Sequence, residues 1–146
     1  MKIKIGTRKD YIDISKLEQN ISSLPWSLEE LVNNLKKKEF HLVVVEDEDS
    51  EIIGYVIWSD RNDGFKIEKL VIQEKYRRSK IGSMLIDMLK KKCVGYRKII
   101  EVIINERNLI AQLFLKYKDF KAIETIHKYW EFAFDDDAYK MKWERK

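Results

Sequence analysis

A cationic turn stands between an apolar run and an amphipathic segment in the sequence LVIQEKYRRSKIGSML. This turn, residues 77–80, consists of Arg77, Arg78, Ser79 and Lys80. Cations at a helix N-terminus oppose the helix dipole and cost about 0.3–1 kcal/mol each unless an anion is bound. The backbone N–H groups there have no intrahelical partners, and Gly82 leaves the second helical position without a side chain. The spacing therefore predicts a phosphate or pyrophosphate pocket, formed by the turn together with Ile81, Gly82 and Ser83.

The elements that must position this turn follow from hydrophobic periodicity. Short polar turns separate three consecutive strands, which favours antiparallel hairpins, and residues 97–104 are apolar enough for a central strand. We predict strands at residues 3–6, 41–46, 52–58, 65–72, 97–104, 120–130 and 137–144, and helices at 10–21, 28–35, 81–93 and 109–118. The order β-α-α-β-β-β-α-β-α-β-β indicates an α/β fold, with a mixed, mainly antiparallel central sheet flanked by helices.

Two helix starts carry capping signals. Ser27 is followed three residues later by Glu30, which is the pattern of a capping box. Asn108 precedes the last helix, and asparagine is a favoured N-cap residue.

The composition indicates a globular protein of one domain, residues 1–146. Hydrophobic residues make up 45% and charged residues 37% of the chain. No apolar run approaches the roughly 20 residues needed to span a bilayer, so we expect no membrane partner. The net charge of +4 suits an anionic ligand and does not by itself indicate nucleic acid, which we also do not expect as a partner. Cys93, the single cysteine, is expected to be a buried thiol in a reducing cytoplasm.

The segment around the turn resembles the signature of the GNAT superfamily of N-acetyltransferases. In that family a strand ends in R/Q-x-x-G-x-G/A at a helix start, and this motif holds the pyrophosphate of acetyl-CoA. Arg77, Ile81 and Gly82 fit the motif, whereas Lys80 stands where the first glycine is usual. The resemblance therefore implies the GNAT fold over nearly the whole chain.

Three weaker motifs support this resemblance. The sequence NERNLIAQLFLKYKDF is similar to N-x-x-A-x-x-x-Y-x-x-x-G-F, with matches at Asn108, Ala111 and Phe120. Asp119 stands where that motif has glycine, in a left-handed cap position that aspartate tolerates. The sequence DDDAYKM is similar to the D-A-x-x-M of the closing strand, and PWS resembles the branch that acetylates protein N-termini, including those of ribosomal proteins.

The resemblance implies an acetyl-CoA-dependent N-acetyltransferase that uses no metal. Leu70, Val71 and Ile72 would supply main-chain contacts to the pantetheine arm and the thioester, and Asn108 would add a further cofactor contact. The expected acceptor is the α-amine of a protein or peptide. A small amine or polyamine is the alternative, since the acidic residues 46–51 and 135–137 would attract a cation. A CoA-binding module without catalysis is a third interpretation, and the chain is expected to be a monomer or a homodimer.

Three residues are candidates for proton transfer, which the charged amine requires. Glu68 lies two residues before Leu70, on the same face of a regular strand, and is the first candidate base. Glu101 is the second, because the N-terminal branch tends to carry a glutamate at the position of Ile103, one same-face step away. Tyr129 resembles a tyrosine that lines the acceptor groove of that branch, where it would bind substrate or donate a proton.

The tyrosine that usually serves as the general acid has no direct counterpart. Leu115 stands at its position and cannot donate a proton. Tyr117 lies two positions later, about 200° around the helix, so we expect it to pack in the core instead.

Overall fold

The chain alternates strands and helices in the predicted order. The computed structural model describes residues 1–22 and 24–146. Its elements are β1 (Lys2–Ile5), α1 (Tyr11–Ile21), α2 (Leu28–Leu35), β2 (Phe40–Glu46), β3 (Ile52–Arg61), β4 (Gly64–Ile72), α3 (Ile81–Lys92), β5 (Ile99–Asn105), α4 (Leu109–Tyr117), β6 (Lys121–Ile126) and β7 (Ala138–Glu144). The strands form a seven-stranded sheet in the order β1-β2-β3-β4-β5-β7-β6. Because β4 and β5 are parallel while the other described pairings are antiparallel, the predicted mixed α/β fold is confirmed.

Two compact units make up the chain, and the boundary between them passes through β4 and α3. The first unit consists of Met1–Asp60 and Glu68–Asp87. The second consists of Arg61–Ile67 and Met88–Lys146.

The first unit is organised around antiparallel strands β1, β2 and β3. Val44 lies directly opposite Tyr55 in the β2–β3 register, and both side chains are fully buried together with Ile57. They pack with Ile14 of α1 and Leu31 of α2 in one apolar cluster. Burying each large aliphatic side chain stabilises the fold by about 1.5–3 kcal/mol, so this cluster holds α1 and α2 on one face of the sheet.

The second unit contains the antiparallel pairing of β5 with β7 and of β7 with β6. Val102 lies opposite Met141 in the β5–β7 register, and both are buried. Strand β5 lies between β4 and β7, as its apolar sequence predicts, and β6 is at the edge of the sheet. Leu115 of α4 and Phe120 contribute further buried side chains.

Both predicted helix caps are confirmed. The Ser27 hydroxyl accepts a hydrogen bond of 3.1 Å from the Glu30 N–H, and Glu30 Oε1 accepts one of 3.1 Å from the Ser27 N–H. The Asn108 side chain accepts a hydrogen bond of 3.1 Å from the Ala111 N–H. These bonds satisfy amides that the helices themselves leave without partners.

Strand β6 is shorter than the sequence suggests. It ends at Ile126 rather than near residue 130, and residues 127–133 form successive turns. Lys128 adopts a positive φ of 49°, which a regular strand does not allow. Tyr129 therefore belongs to the β6–β7 connection rather than to a strand.

Cys93 is buried, as expected, with 2% of its surface exposed. Burial raises the pKa of its thiol, and the nearby Arg145 and Arg97 guanidinium groups oppose that shift. Among residues 1–22 and 24–146, no helix has both the length and the apolarity that crossing a membrane requires.

Gly64 tests the close approach of β4 to β5. A Cβ atom at this position would overlap the carbonyl oxygen of Ile99 and lie 2.7 Å from its carbonyl carbon and 2.9 Å from its nitrogen. Because these are backbone atoms that cannot move aside, we expect Gly64→Ala to lower the free energy of unfolding by more than about 3 kcal/mol.

Gly95→Ala is the matched control. No heavy atom lies within 4 Å of its Cβ position, so only its φ of 63° opposes the substitution. We expect a loss of about 1–2 kcal/mol there. Urea unfolding followed by circular dichroism measures the free energy of unfolding of both variants. Equal losses would show that the close approach of β4 to β5 does not require glycine at position 64.

Candidate active site

Strand β4 loses its parallel partner half-way along its length. Its pairing with β5 begins at Gly64–Ile99 and ends at Ile67–Val102. The strand itself continues to Ile72, so residues 68–72 extend beyond this ladder. Main-chain N–H and C=O groups on such an edge are able to bind a ligand.

Two consecutive side chains of β4 make contacts on the same face of the sheet. The Ser59 hydroxyl donates a hydrogen bond of 2.7 Å to Glu68 Oε2, and Ser59 lies opposite Phe40, which packs against the cluster beneath α1 and α2. Lys69 Nζ lies 2.7 Å from Glu18 Oε1 on α1. Since side chains of a regular strand alternate between faces, these contacts indicate a local irregularity of the kind that a β-bulge produces.

The expectation that Glu68 shares a face with Leu70 is wrong. Val71 packs in the cluster beneath α1 and α2, so its neighbours Leu70 and Ile72 point to the opposite face. Glu68 contacts Ser59 on the same face as Val71. The physical reason is the irregularity of β4, which a count of alternating positions does not reveal.

The cationic turn leads from β4 to α3 through a tight backbone path. Residues 74–76 form one turn of 3₁₀-helix, and Arg77 Nε donates a hydrogen bond of 3.3 Å to the carbonyl oxygen of Ile72. The Ser79 hydroxyl donates to the carbonyl oxygen of Tyr76. Lys80 has a positive φ of 68°, which explains why glycine is usual there. All four residues of the turn are exposed to solvent.

Helix α3 begins directly after this turn. Ile81 is fully buried, while Gly82 and Ser83 are half-buried. The N-terminal amides of α3 therefore follow a left-handed residue and a run of exposed cations. This combination favours an anion at the start of α3, as the sequence predicts.

Gly54 of β3 is a residue of this region that the sequence analysis missed. A Cβ atom there would lie 2.9 Å from the Ile72 side chain and 3.2 Å from the Val71 carbonyl oxygen. The glycine therefore allows the end of β4 and Ile81 to pack closely against β3. A glycine inside the β-branched run IIGYVIW is the signal that would have identified it.

The second unit contains the other predicted site residues. Glu101 on β5 is half-buried, and its Oε2 lies 3.9 Å from Lys140 Nζ. Asn108 caps α4 and is exposed. Tyr129 is 39% exposed, and its ring meets that of Trp130 edge-on at 4.9 Å.

The expectation that Tyr117 packs in the core is wrong. Its side chain is 80% exposed at the end of α4, whereas Leu115 is buried. Two positions along a helix lie about 200° apart, so Leu115 and Tyr117 are on nearly opposite sides of α4, and it is Leu115 that faces the core. Asp119 adopts a φ of 70°, so the predicted left-handed cap is confirmed.

The acidic segments make hydrogen bonds and ion pairs within the protein. Asp47 Oδ1 accepts hydrogen bonds from the amides of Asp49 at 2.9 Å and Glu51 at 3.0 Å. Asp136 Oδ1 lies 2.9 Å from Arg107 Nε, and Asp137 Oδ1 accepts a bond of 2.9 Å from the Lys128 N–H. These carboxylates stabilise the turns in which they lie. In the part of the chain that the structure describes, no group of three or more metal-ligand side chains could hold a metal ion.

A sequence comparison now connects this geometry to a protein family. The sequence model of the acetyltransferase (GNAT) domain matches residues 14–128. The chain belongs to the GNAT acetyltransferase family. No curated protein matches this GNAT acetyltransferase by sequence.

Solved GNAT acetyltransferase structures are similar to the whole chain. The ribosomal-protein-S18-alanine N-acetyltransferase from Escherichia coli has a TM-score of 0.83 and 17% identity, covering 98% of this chain and 92% of that one. NAA60 of Arabidopsis thaliana, in complex with acetyl-CoA, has a TM-score of 0.84 and 17% identity, covering 98% and 97%. An aminoglycoside 6'-N-acetyltransferase complexed with coenzyme A has a TM-score of 0.76 and 17% identity, covering 99% and 97%. At these identities the likeness shows the shared fold.

Lys80 provides a test of the strained turn. Its φ of 68° lies in the left-handed region, where a side chain costs about 1–2 kcal/mol and glycine has no such penalty. Allowing for the extra chain entropy of glycine, we expect Lys80→Gly to raise the free energy of unfolding by about 0.5–1 kcal/mol.

Lys80→Ala is the control because it removes the ammonium group and keeps the Cβ atom. Lys80→Ala should be no more stable than wild type, and urea unfolding measures the difference in stability between the two variants. A Lys80→Gly variant that is no more stable than Lys80→Ala would show that the backbone at Lys80 is not strained.

Proposed function

We propose that this GNAT acetyltransferase transfers the acetyl group of acetyl-CoA to the α-amine of a protein or peptide. The observation that carries the proposal is the geometry of residues 68–82. An edge of β4 without its parallel partner leads through a left-handed cationic turn into the start of α3. Such a strand edge suits an amide-containing arm, and the turn suits the anionic end of the same molecule.

The cationic turn would bind the pyrophosphate of acetyl-CoA. The amides at the start of α3 would donate hydrogen bonds, and Gly82 and Ser83 place only small side chains beside them. Arg77, Arg78 and Lys80 add positive charge, and Ser79 belongs to the same exposed turn. Asn108, the N-cap of α4, is proposed as a further contact to the cofactor.

The main chain of Leu70, Val71 and Ile72 would hold the pantetheine arm and the thioester. An N–H group of this segment, directed at the acetyl carbonyl oxygen, would stabilise the negative charge that develops there. The amine nitrogen then bonds to the acetyl carbon while the carbon–sulfur bond breaks, and coenzyme A leaves as a thiolate.

Glu68 is the proposed base that removes the amine proton, directly or through one water molecule. The Ser59 hydroxyl, itself 2% exposed, donates to one carboxylate oxygen at 2.7 Å and so orients the group that accepts the proton. Glu101 remains the alternative base, and Tyr129 remains the candidate that binds the acceptor or returns a proton to the thiolate. We further propose that residues 1–146 act as one GNAT domain, since the family match at 14–128 includes parts of both units.

The contacts that the acidic segments make within the protein favour an α-amine acceptor over a polycation. Asp136 pairs with Arg107, and Asp47 and Asp137 accept hydrogen bonds from backbone amides, so these carboxylates already have partners within the protein. Among the similar structures, one is an enzyme that acetylates an alanine of ribosomal protein S18, and another is an aminoglycoside acetyltransferase. A small amine therefore stays the second candidate.

The direct test measures thiol release from acetyl-CoA with a matched set of acceptors. The set contains peptides with free and blocked N-termini, a polyamine and an aminoglycoside. The proposal expects turnover with free α-amines that is lost on blocking. Faster turnover with the polyamine or aminoglycoside would favour the second candidate, and acetyl-CoA binding without any turnover would indicate a module that has lost catalysis.

Gly82→Trp tests the cofactor pocket. An indole at the second position of α3 would cover the amides, so we expect binding of acetyl-CoA to weaken at least about a hundredfold, through loss of charge-assisted hydrogen bonds. Isothermal titration calorimetry measures the affinity. Lys91→Trp is the control, because Lys91 is exposed near the other end of the same helix. Equal affinity of wild type and Gly82→Trp for acetyl-CoA would show that the turn is not part of the cofactor site.

Glu68→Gln tests the base. The amide keeps an oxygen that can accept from Ser59, so the fold is preserved while proton acceptance is lost. We expect the rate to fall most below about pH 8, where an α-amine is largely protonated and needs the base. The two carboxylates are compared by the steady-state rates of Glu68→Gln and Glu101→Gln. The assay range of about pH 6 to 10 extends to both sides of the pKa of an α-amine. A constant ratio of wild type to Glu68→Gln across pH would exclude Glu68 as the base.

A further inference from the structure

Glu18 is a fully buried carboxylate that the proposed chemistry does not use. It is 0% exposed, on the face of α1 that also carries Ile14. A buried carboxylate is tolerated only when its charge is paired and its oxygens accept hydrogen bonds. Glu18 meets both conditions, because Oε1 lies 2.7 Å from Lys69 Nζ and accepts from the Trp26 N–H at 2.8 Å. The Tyr55 hydroxyl donates to Oε2 at 3.3 Å, and burial, together with this negative charge, raises the pKa of Tyr55.

Lys69 extends this network to the connection between α1 and α2. Its ammonium group donates a hydrogen bond of 3.1 Å to the Leu24 carbonyl oxygen. The same group lies 5.1 Å from the centre of the Trp26 ring, within range of a cation–π interaction. The pair of Glu18 and Lys69 therefore ties residues 24–26 to strand β4.

Lys69 also lies at the point where β4 departs from regular alternation. Its neighbours are Glu68, which contacts Ser59 on the same face, and Leu70, which points to the other face. If β4 returned to regular alternation, Lys69 and Glu68 could not both keep these partners. If alternation resumed from Glu68, Lys69 would turn to the other face and leave Glu18 buried without its cation, which is strongly unfavourable. If it resumed from Val71, Glu68 would lose Ser59 instead. The ion pair thus stabilises the irregular conformation.

We propose that Glu18 and Lys69 are positioning residues for acetyl transfer, because their buried ion pair holds the irregularity of β4 that directs Glu68 and the Leu70 main chain. The inference rests on the proposed function for its catalytic consequence. Its conformational part concerns the first unit alone. Neither residue touches the reacting atoms in this mechanism; both act through the conformation of β4.

The test replaces both charges together, in the variant Glu18→Gln/Lys69→Met. Removing only Lys69 would leave a buried unpaired carboxylate and risk unfolding, whereas the double variant contains no buried charge at this site. The glutamine amide introduced by Glu18→Gln keeps an oxygen that can accept from the Trp26 N–H. Circular dichroism establishes that the variant is folded at the assay temperature.

Lys4→Met is the matched control. It also removes a lysine from ion pairs in the first unit, where Lys4 Nζ lies 3.1 Å from Glu46 Oε2 and 3.6 Å from Asp10 Oδ1. These pairs do not involve β4, so this control should keep the conformation of residues 68–70.

The expected result is a kcat that falls roughly tenfold to a hundredfold in the double variant, as misplacement of a catalytic group produces, with KM for acetyl-CoA within about twofold of wild type. Lys4→Met should retain the wild-type kcat. In ¹H–¹⁵N spectra, the double variant should displace the amide resonance of Ser59, the partner of Glu68 on β3, which is not adjacent in sequence to either substitution, and Lys4→Met should not. A double variant with wild-type kcat, or with an unmoved Ser59 resonance, would overturn the inference.

The spectra also separate this inference from the proposed function. If wild type releases no thiol with any acceptor, the proposed function fails. A displaced Ser59 resonance would then still support the conformational role of the ion pair. An unmoved Ser59 resonance would overturn that role as well.

Discussion

The end of the β4–β5 pairing at Ile67–Val102 is the constraint on which the candidate site depends. A parallel pair that continued to Ile72 would use the main-chain groups of β4 in the ladder and leave none for a ligand. Because the pairing ends early, the last residues of β4 combine an ordered strand conformation with main-chain groups that lie outside the parallel ladder. Gly64 sets the other end of this pairing, since only glycine fits against the Ile99 backbone.

The cationic turn places conformational strain and like charges at the start of α3. Lys80 occupies a left-handed conformation, and Arg77 and Arg78 are exposed beside it. Each feature is unfavourable for an isolated helix start; a bound anion would make the like charges favourable and would compensate for the strain. The sequence departs from the family motif at Lys80, but the backbone adopts the conformation that the usual glycine would permit.

The candidate base and the buried ion pair depend on the same irregular segment of β4. Ser59 fixes Glu68 on one side of this segment, and Glu18 fixes Lys69. Their energies differ in size, because a hydrogen bond to a charged group contributes about 1.5–3 kcal/mol net while loss of one partner from a buried ion pair costs about 3–5 kcal/mol. The ion pair is therefore the stronger restraint on the strand.

The sequence by itself determined the order of the elements, both helix caps and the cationic turn. These features depend on local periodicity and on side chains within four residues of the amides they cap, as Ser27 and Asn108 show. Only the tertiary structure decided which face Glu68 occupies, that Glu18 pairs with Lys69, and that β6 ends at Ile126. The physical reason is that the irregularity of β4 and the buried ion pair depend on partners distant in the chain, which periodicity does not encode.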